Sequence, residues 1–265
     1  MKTNLFLIET LTNLHVGSGD INFDIIDNQV QKNSANIPII HSSSLKGAFR
    51  EHFEKKGGYF IDYIFGGSGE KEQAGAYSFF EAKLLTRPVR SNVKPYFNAT
   101  TPEIVKDLID LIKTFNIKTD FNEGLEKFYE NIKDIEQITI IGNYKNVIIE
   151  DEEAVSKDIE VGIEFLNDLV IFPFEKFKKL DLPVIARNKL NNGKSVNLWY
   201  EEVVPTKSKF YFVIVKPDES EIDKSDLEKI KEFDEVFLNE GEIVQIGANK
   251  SIGYGFCKIK GLNNE

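Results

Sequence analysis

An α+β fold is predicted for this chain of 265 residues, and three observations predict it. Each end reads strand, helix, strand. The middle, roughly 95–205, changes rhythm to helices and short apolar runs, as an insertion would. A hairpin signal, Asn192-Gly193, stands between two runs of equal length at the end of that middle. The two end units together make a split βαβ sheet interrupted once.

Taken in order, residues 4–17 (NLFLIETLTNLHVG) are apolar with partial alternation and run into Gly17-Ser18-Gly19, a first strand and loop. The stretch from Asp20 to Ile39 keeps no period and crosses to a helix over 41–58. Serines 42–44 offer that helix cap oxygens, Leu45, Ala48, Phe49 and Phe53 recur at helical spacing, and Gly57-Gly58 ends it. Residues 74–90 read as a strand. Thr101 and Pro102 open a helix over 101–116, as cap and first helical residue, and a second helical stretch follows. Residues 138–153 suggest two short strands around Gly142-Asn143. Residues 209–217 (KFYFVIVKP) form a strongly apolar strand, and 225–241 an amphipathic helix with Ser225 as cap. The chain closes on IVQIGANKSIGYGFCKIKGL. This order matches an RRM-like or ferredoxin-like core, 1–95 and 205–265, with helices on one face, an insertion over 96–182 and a projecting hairpin over 183–200, all in one domain.

Twenty-one phenylalanines, with many Ile, Leu and Val, supply a core without disulfides. The single cysteine, Cys257, and the abundant lysines fit a reducing interior, most simply the cytoplasm. The first apolar run is broken by Glu9 and Asn13, so it resembles neither a signal peptide nor a membrane span. A net charge of −10 speaks at first against a nucleic-acid partner. The distribution reverses that: the acid lies in blocks at 150–160 and 217–237, while 28–50, 182–200 and 243–264 carry cations and no acid.

Those three strips hold, or adjoin, the candidate binding residues. His15, Gly17 and Ser18 lie in HVGSGD, and Ser43, Ser44, Lys46 and Arg50 in the following helix, where Lys46 and Arg50 share a face. Hydroxyls, free helix N–H groups and two cations would hold a phosphate; a solvated helix face is the plainer alternative. Pairing across Asn192-Gly193 sets Arg187 opposite Leu198 and Lys189 opposite Val196, on a hairpin of mixed faces suited to touch something anionic. Gly247, Gly253 and Gly255 allow close backbone approach, with Asn249 and Lys250 as polar contacts. Asp20, Asp24 and Asp27 are the candidate carboxylates for orienting or deprotonating a 2′-hydroxyl or holding a divalent cation. His15, His41 and His52 have no metal-like spacing, and His52 and Cys257 read as structure.

The segments HVGSGD, IPIIHSSSLKGAFR, AGAYSFFEAKLLTRPVRS, VNLWYEEVVP and QIGANKSIGYGF closely resemble the RAMP-superfamily backbone subunit of the type III-B CRISPR effector, the Cmr complex. The type III-A backbone subunit is the near neighbour, and NLWYEEVVP favours III-B. The resemblance implies an RRM-like core, stacking of copies along a CRISPR RNA guide beside other Cmr subunits, and a thumb, here 183–200, that splays the guide–target duplex. It also implies cleavage of bound single-stranded target RNA at regular intervals and no membrane partner. The family's active-site aspartate aligns with Asp27 in IIDNQVQK, and Lys32 takes the place of an arginine. Asp27 would act as base or as ligand of a divalent metal, Mg or Mn. Three alternatives stay open: a non-catalytic guide-RNA scaffold, a stand-alone processing ribonuclease and an unrelated acidic interaction module.

Overall fold

The computed structural model describes residues 2–19, 25–57, 61–67, 73–218, 222, 227, 230, 231, 233 and 241–263. Four long strands come from the two ends: β1 (Lys2–Thr10), β4 (Ala82–Val89), β12 (Lys209–Lys216) and β14 (Phe256–Gly261). They lie side by side in the order β14-β1-β12-β4, every neighbouring pair antiparallel. Two-residue strands β2 (Ile39–Ile40) and β3 (Ser78–Phe79) pair with β4 and β12, and β13 (Glu242–Gln245) adds to β14 as an edge.

On one face α1 (Ser42–Lys56) packs through Phe49, which meets Phe212 with ring centroids 5.7 Å apart, while Phe212 stacks on Phe6 at 5.1 Å. A short helix, α2 (Ile61–Phe65), joins this layer. The helix expected at 225–241 lies largely outside the described residues; of those described, Phe233 is buried 4.9 Å from Phe53. Gly57 ends α1 in the left-handed conformation, φ 76°, as its sequence position predicts. The start differs from expectation: His41 occupies the cap position without a side-chain bond, and Ser42–Ser44 already form the first turn.

The insertion extends the same sheet. After β5 (Phe97–Thr100) come α3 (Pro102–Thr114), α4 (Asn122–Ile132), β6 (Thr139–Ile141), β7 (Val147–Ile149), β8 (Glu152–Lys157), β9 (Leu169–Ile171) and a turn of helix, α5 (Phe174–Phe177). Strand order continues β4-β5-β9-β6-β8-β7. The strands on either side of Gly142 do form, yet they do not pair with each other: the acidic β8 runs between them. Thr101 caps α3, its hydroxyl accepting from the Ile104 N–H at 3.2 Å.

Helices cover both faces, not one. Residues alternate across a strand, so Tyr211 points away from the face of Phe212. Its hydroxyl donates to Asp107 of α3 at 2.5 Å, and Lys83 reaches the same carboxylate at 2.8 Å. Burial and the Asp107 charge hold the Tyr211 phenol well above its ordinary pKa. The insertion therefore doubles back over the second face, which terminal periodicity could not foretell. Among the described residues, no helix is long and apolar enough to cross a membrane.

The hairpin of β10 (Val184–Asn191) and β11 (Lys194–Glu202) is a separate two-stranded sheet. Asn192 (φ 48°) and Gly193 (φ 78°) supply the two positive angles that a two-residue type I′ turn requires. The expected register fails beyond Leu190, which pairs with Ser195. An irregularity shifts the ladder so that Lys189 faces Asn197 and Arg187 faces Trp199. The extra residue on β11 is a bulge, which residue types alone do not announce.

Candidate nucleic-acid interface and active site

Where β11 leaves the hairpin and enters the body, two consecutive glutamates are buried: Glu201 is 4% exposed and Glu202 3%. Burying carboxylates is costly unless each is paired and hydrogen-bonded, and both are. Glu202 accepts from the Val30 backbone N–H at 3.1 Å and from Lys32 Nζ at 2.6 Å. Glu201 accepts from Asn249 Nδ2 at 2.6 Å and from Arg187 Nε at 2.9 Å, and His15 Nε2 lies 4.0 Å away. The Arg187 guanidinium also sits over the Tyr254 ring, 4.8 Å from its centroid.

His15 bonds through Nδ1 to the Glu202 carbonyl oxygen at 2.7 Å. A carbonyl only accepts, so Nδ1 carries a proton and donates this bond. Thus four residues that separate strips of sequence nominated, His15, Lys32, Arg187 and Asn249, meet on one glutamate pair.

Asp27 belongs to the same node. Residues 27–30 run along β11: the Tyr200 N–H donates to Asp27 Oδ2 at 2.7 Å, the Asn28 N–H to the Tyr200 oxygen at 3.1 Å, and the Glu202 N–H to the Asn28 oxygen at 2.9 Å. Asp27 itself is exposed. The hairpin's exit strand thereby fixes one oxygen of an otherwise accessible carboxylate. Asp20 and Asp24 lie outside the described residues.

Gln31, 7% exposed, links three pieces. Its Nε2 donates to the Gly17 oxygen and to Ser44 Oγ, both at 3.2 Å, and its Oε1 accepts from the His41 N–H at 2.7 Å. The Ser18 N–H donates to the Gln29 oxygen at 3.0 Å. The 15–18 loop, the 27–32 segment and the start of α1 are consequently one unit. Ser43 is exposed and Lys46 half-buried beside it on α1, without an ionic partner among the described residues. Arg50 is already engaged, with Glu54 at 2.7 Å and the Gly66 oxygen at 3.0 Å.

The late glycines serve backbone contact. A Cβ on Gly247 would stand 2.3 Å from the His15 oxygen, and one on Gly255 2.0 Å from the Ile246 oxygen. The loop between them is folded down onto residues 13–16, the Ala248 N–H donating to the His15 oxygen at 2.9 Å. Asn249, at φ 66°, points inward to Glu201, whereas Lys250 is exposed, 3.8 Å from Glu51. Lys189 is exposed on the hairpin. Sequence reasoning missed Glu201, Glu202 and Gln31. The signal for the first two was a pair of acids directly following an acid-free strip, on a strand entering the core.

Among the described residues no three His, Cys, Asp or Glu side chains converge as a metal site. Asp27 alone of the described acids at this node offers a free carboxylate edge.

Residues 7–258 match the family model of the RAMP superfamily. The chain belongs to the RAMP superfamily. This RAMP protein is 29% identical over 287 residues to the CRISPR system Cmr endoribonuclease Cmr4 of Pyrococcus furiosus, an alignment covering 98% of this chain and 95% of that one. Its fold is similar to a chain in the cryo-EM structure of the type III-B Cmr-beta complex bound to cognate target RNA, with a TM-score of 0.82 at 22% identity, covering 99% and 98% of the two chains. It is also similar to oligomeric Cmr4 from Pyrococcus furiosus in its crystal structure, with a TM-score of 0.74 at 24% identity over 99% of each.

Proposed function

We propose that this RAMP protein is the guide-RNA-binding backbone subunit of a type III-B CRISPR effector, in which copies stack along the guide and cut the paired target RNA at regular intervals. The observation that carries the reading is the convergence of Asp27, His15, Lys32, Arg187 and Asn249 at the root of a projecting hairpin. The near-full-length similarity to a Cmr endoribonuclease supports it independently. The spatial order of the terminal strands, fourth, first, third and second, is the order of an RRM-like sheet, and the hairpin is the thumb. The guide backbone runs over Gly17, Ser18, Ser43, Ser44, Lys46 and Lys250, read through phosphates without regard to sequence.

The thumb, exposed throughout residues 188–198, wedges into the guide–target duplex and holds one target nucleotide in line. Asp27 takes the proton of that nucleotide's 2′-hydroxyl. The oxygen attacks the adjacent phosphorus, the bond to the 5′-oxygen breaks, and that oxygen collects a proton from solvent, leaving a 2′,3′-cyclic phosphate and a 5′-hydroxyl. In the alternative role, Asp27 would hold a divalent ion, Mg or Mn, which would supply charge neutralisation at the reacting phosphate.

In the reconstituted complex, Asp27→Ala is expected to bind guide and target as the native subunit does while cleavage falls by about 10²–10⁴-fold. Chelation of divalent ions is expected to slow cleavage without releasing target. Undiminished cutting by Asp27→Ala would leave the scaffold alternative standing.

A further inference from the structure

The acid-free strip 243–264 is only half used by the site above. Lys250 stands at the hairpin root, but Lys258 and Lys260 point to the opposite face of the sheet. There a cleft of about 630 Å³ opens between β1, β12, β14 and the segment 162–167. Register assigns Leu7 and Lys260 to this face, and Glu9 with Lys258 and Lys209. Lys207 and Tyr96 stand on its rim.

Two of its groups are buried and incompletely used. Lys209 is 8% exposed, and its Nζ donates to two neutral oxygens, Phe165 O at 2.8 Å and Asn167 Oδ1 at 3.1 Å. An ammonium has three donors, so one remains. Asn98 is 4% exposed and gives its Nδ2 to the Asn167 oxygen at 2.8 Å, while its own Oδ1, sealed from solvent, has no partner. Lys258 has no carboxylate partner among the described residues, whereas Lys207 and Lys260 sit against Glu9 at 3.1 Å and Glu164 at 3.4 Å. Burial holds the Lys209 ammonium below its ordinary pKa, against the opposing pull of the Glu9 and Asp168 charges.

The need that a ligand can meet is an anion for the ammonium groups, because the Asn98 oxygen is closed to the cleft. A nucleotide carries one as its phosphate, and the volume suits a ligand of that size. The Tyr96 ring offers a stacking face at the rim. An acidic peptide would have to bring several carboxylates past Glu9, Asp120 and Glu164, already in the lining.

We propose that this cleft binds a single ribonucleotide unit, phosphate toward Lys209 and Lys258 and base against Tyr96. The unit comes from a free nucleotide or from an RNA strand crossing the face.

Calorimetric titration of the full-length protein with adenosine 5′-monophosphate, decauridylate, inorganic phosphate and hexaglutamate tests this. The variants are K258Q/K260Q, at exposed positions, and K46Q/K250Q, which weakens the guide path. Saturable binding that drops at least about tenfold in K258Q/K260Q and holds in K46Q/K250Q is expected. If the monophosphate shows that pattern the source is free nucleotide, and if only decauridylate shows it the source is a strand. Binding of both RNA probes that ignores K258Q/K260Q, phosphate alone as tight as the nucleotide, or tighter binding of hexaglutamate would overturn the assignment.

Discussion

The root and the tip of the hairpin share two strands and obey opposite rules. At the root both buried acids are paired: Glu201 and Glu202 gather Lys32, Arg187, Asn249 and the Val30 N–H. At the tip, Leu190, Val196 and Leu198 are 61%, 55% and 54% exposed and pack on nothing. A soluble domain does not usually hold three large apolar side chains on one projecting element without a use for them. The difference teaches which half must be rigid: the root fixes the Asp27 carboxylate, and in the proposed function the tip is left open for the duplex.

Glu202→Ala should separate the two most sharply. It strands Lys32 and the Val30 N–H, and is expected to cost about 3 kcal/mol, the low end for breaking a buried pair because Lys32 still touches water. Urea unfolding measures it, and an unchanged midpoint would mean the root is not held by charge. Replacing Leu190, Val196 and Leu198 together with Ser is the converse. Stability should change by no more than about 0.5 kcal/mol, while the reconstituted complex cuts target more slowly. A destabilised monomer would show that the tip packs after all.

Much of this was legible beforehand, for physical reasons. Gly57, Thr101-Pro102 and Asn192-Gly193 are local signals whose conformations the chain chooses alone, and each stands as read, whereas the serines before α1 do not cap it. Residues 209–217 and 256–261 were strands because they are apolar or alternating. The second-face position of α3 was hidden, since it depends on Tyr211 meeting Asp107 across 104 residues of chain. The site was legible in its cations and in Asp27, and illegible in its organising acids. Glu201 and Glu202 look like any surface pair until the fold buries them. The glycines around Asn249 signalled close approach correctly, but their neighbour is the His15 backbone.

The smallest effect concerns His52, which bonds Glu242 at 2.9 Å on the far side of α1. Burial, then Lys56, depresses its pKa below the ordinary value. The folded state thus binds its proton less readily than the unfolded chain. Its contribution is present above about pH 6.5 and is lost as pH falls from there through the folded pKa. His52→Gln should flatten the fall of stability between about pH 6.5 and 5, read from thermal unfolding, and an unaltered slope would remove His52 from the account.

The most direct test is a structure of the assembled effector with guide and a target carrying a single 2′-O-methyl group at one scissile nucleotide. At that blocked, uncut site, an Asp27 oxygen is expected beside the 2′-oxygen, about 2.6–3.2 Å away or one water removed. The Tyr200 N–H should still hold its other oxygen, and cleavage should be absent only at the methylated position. Asp27 turned away from that 2′-oxygen would contradict the claim that the hairpin root places the cutting group.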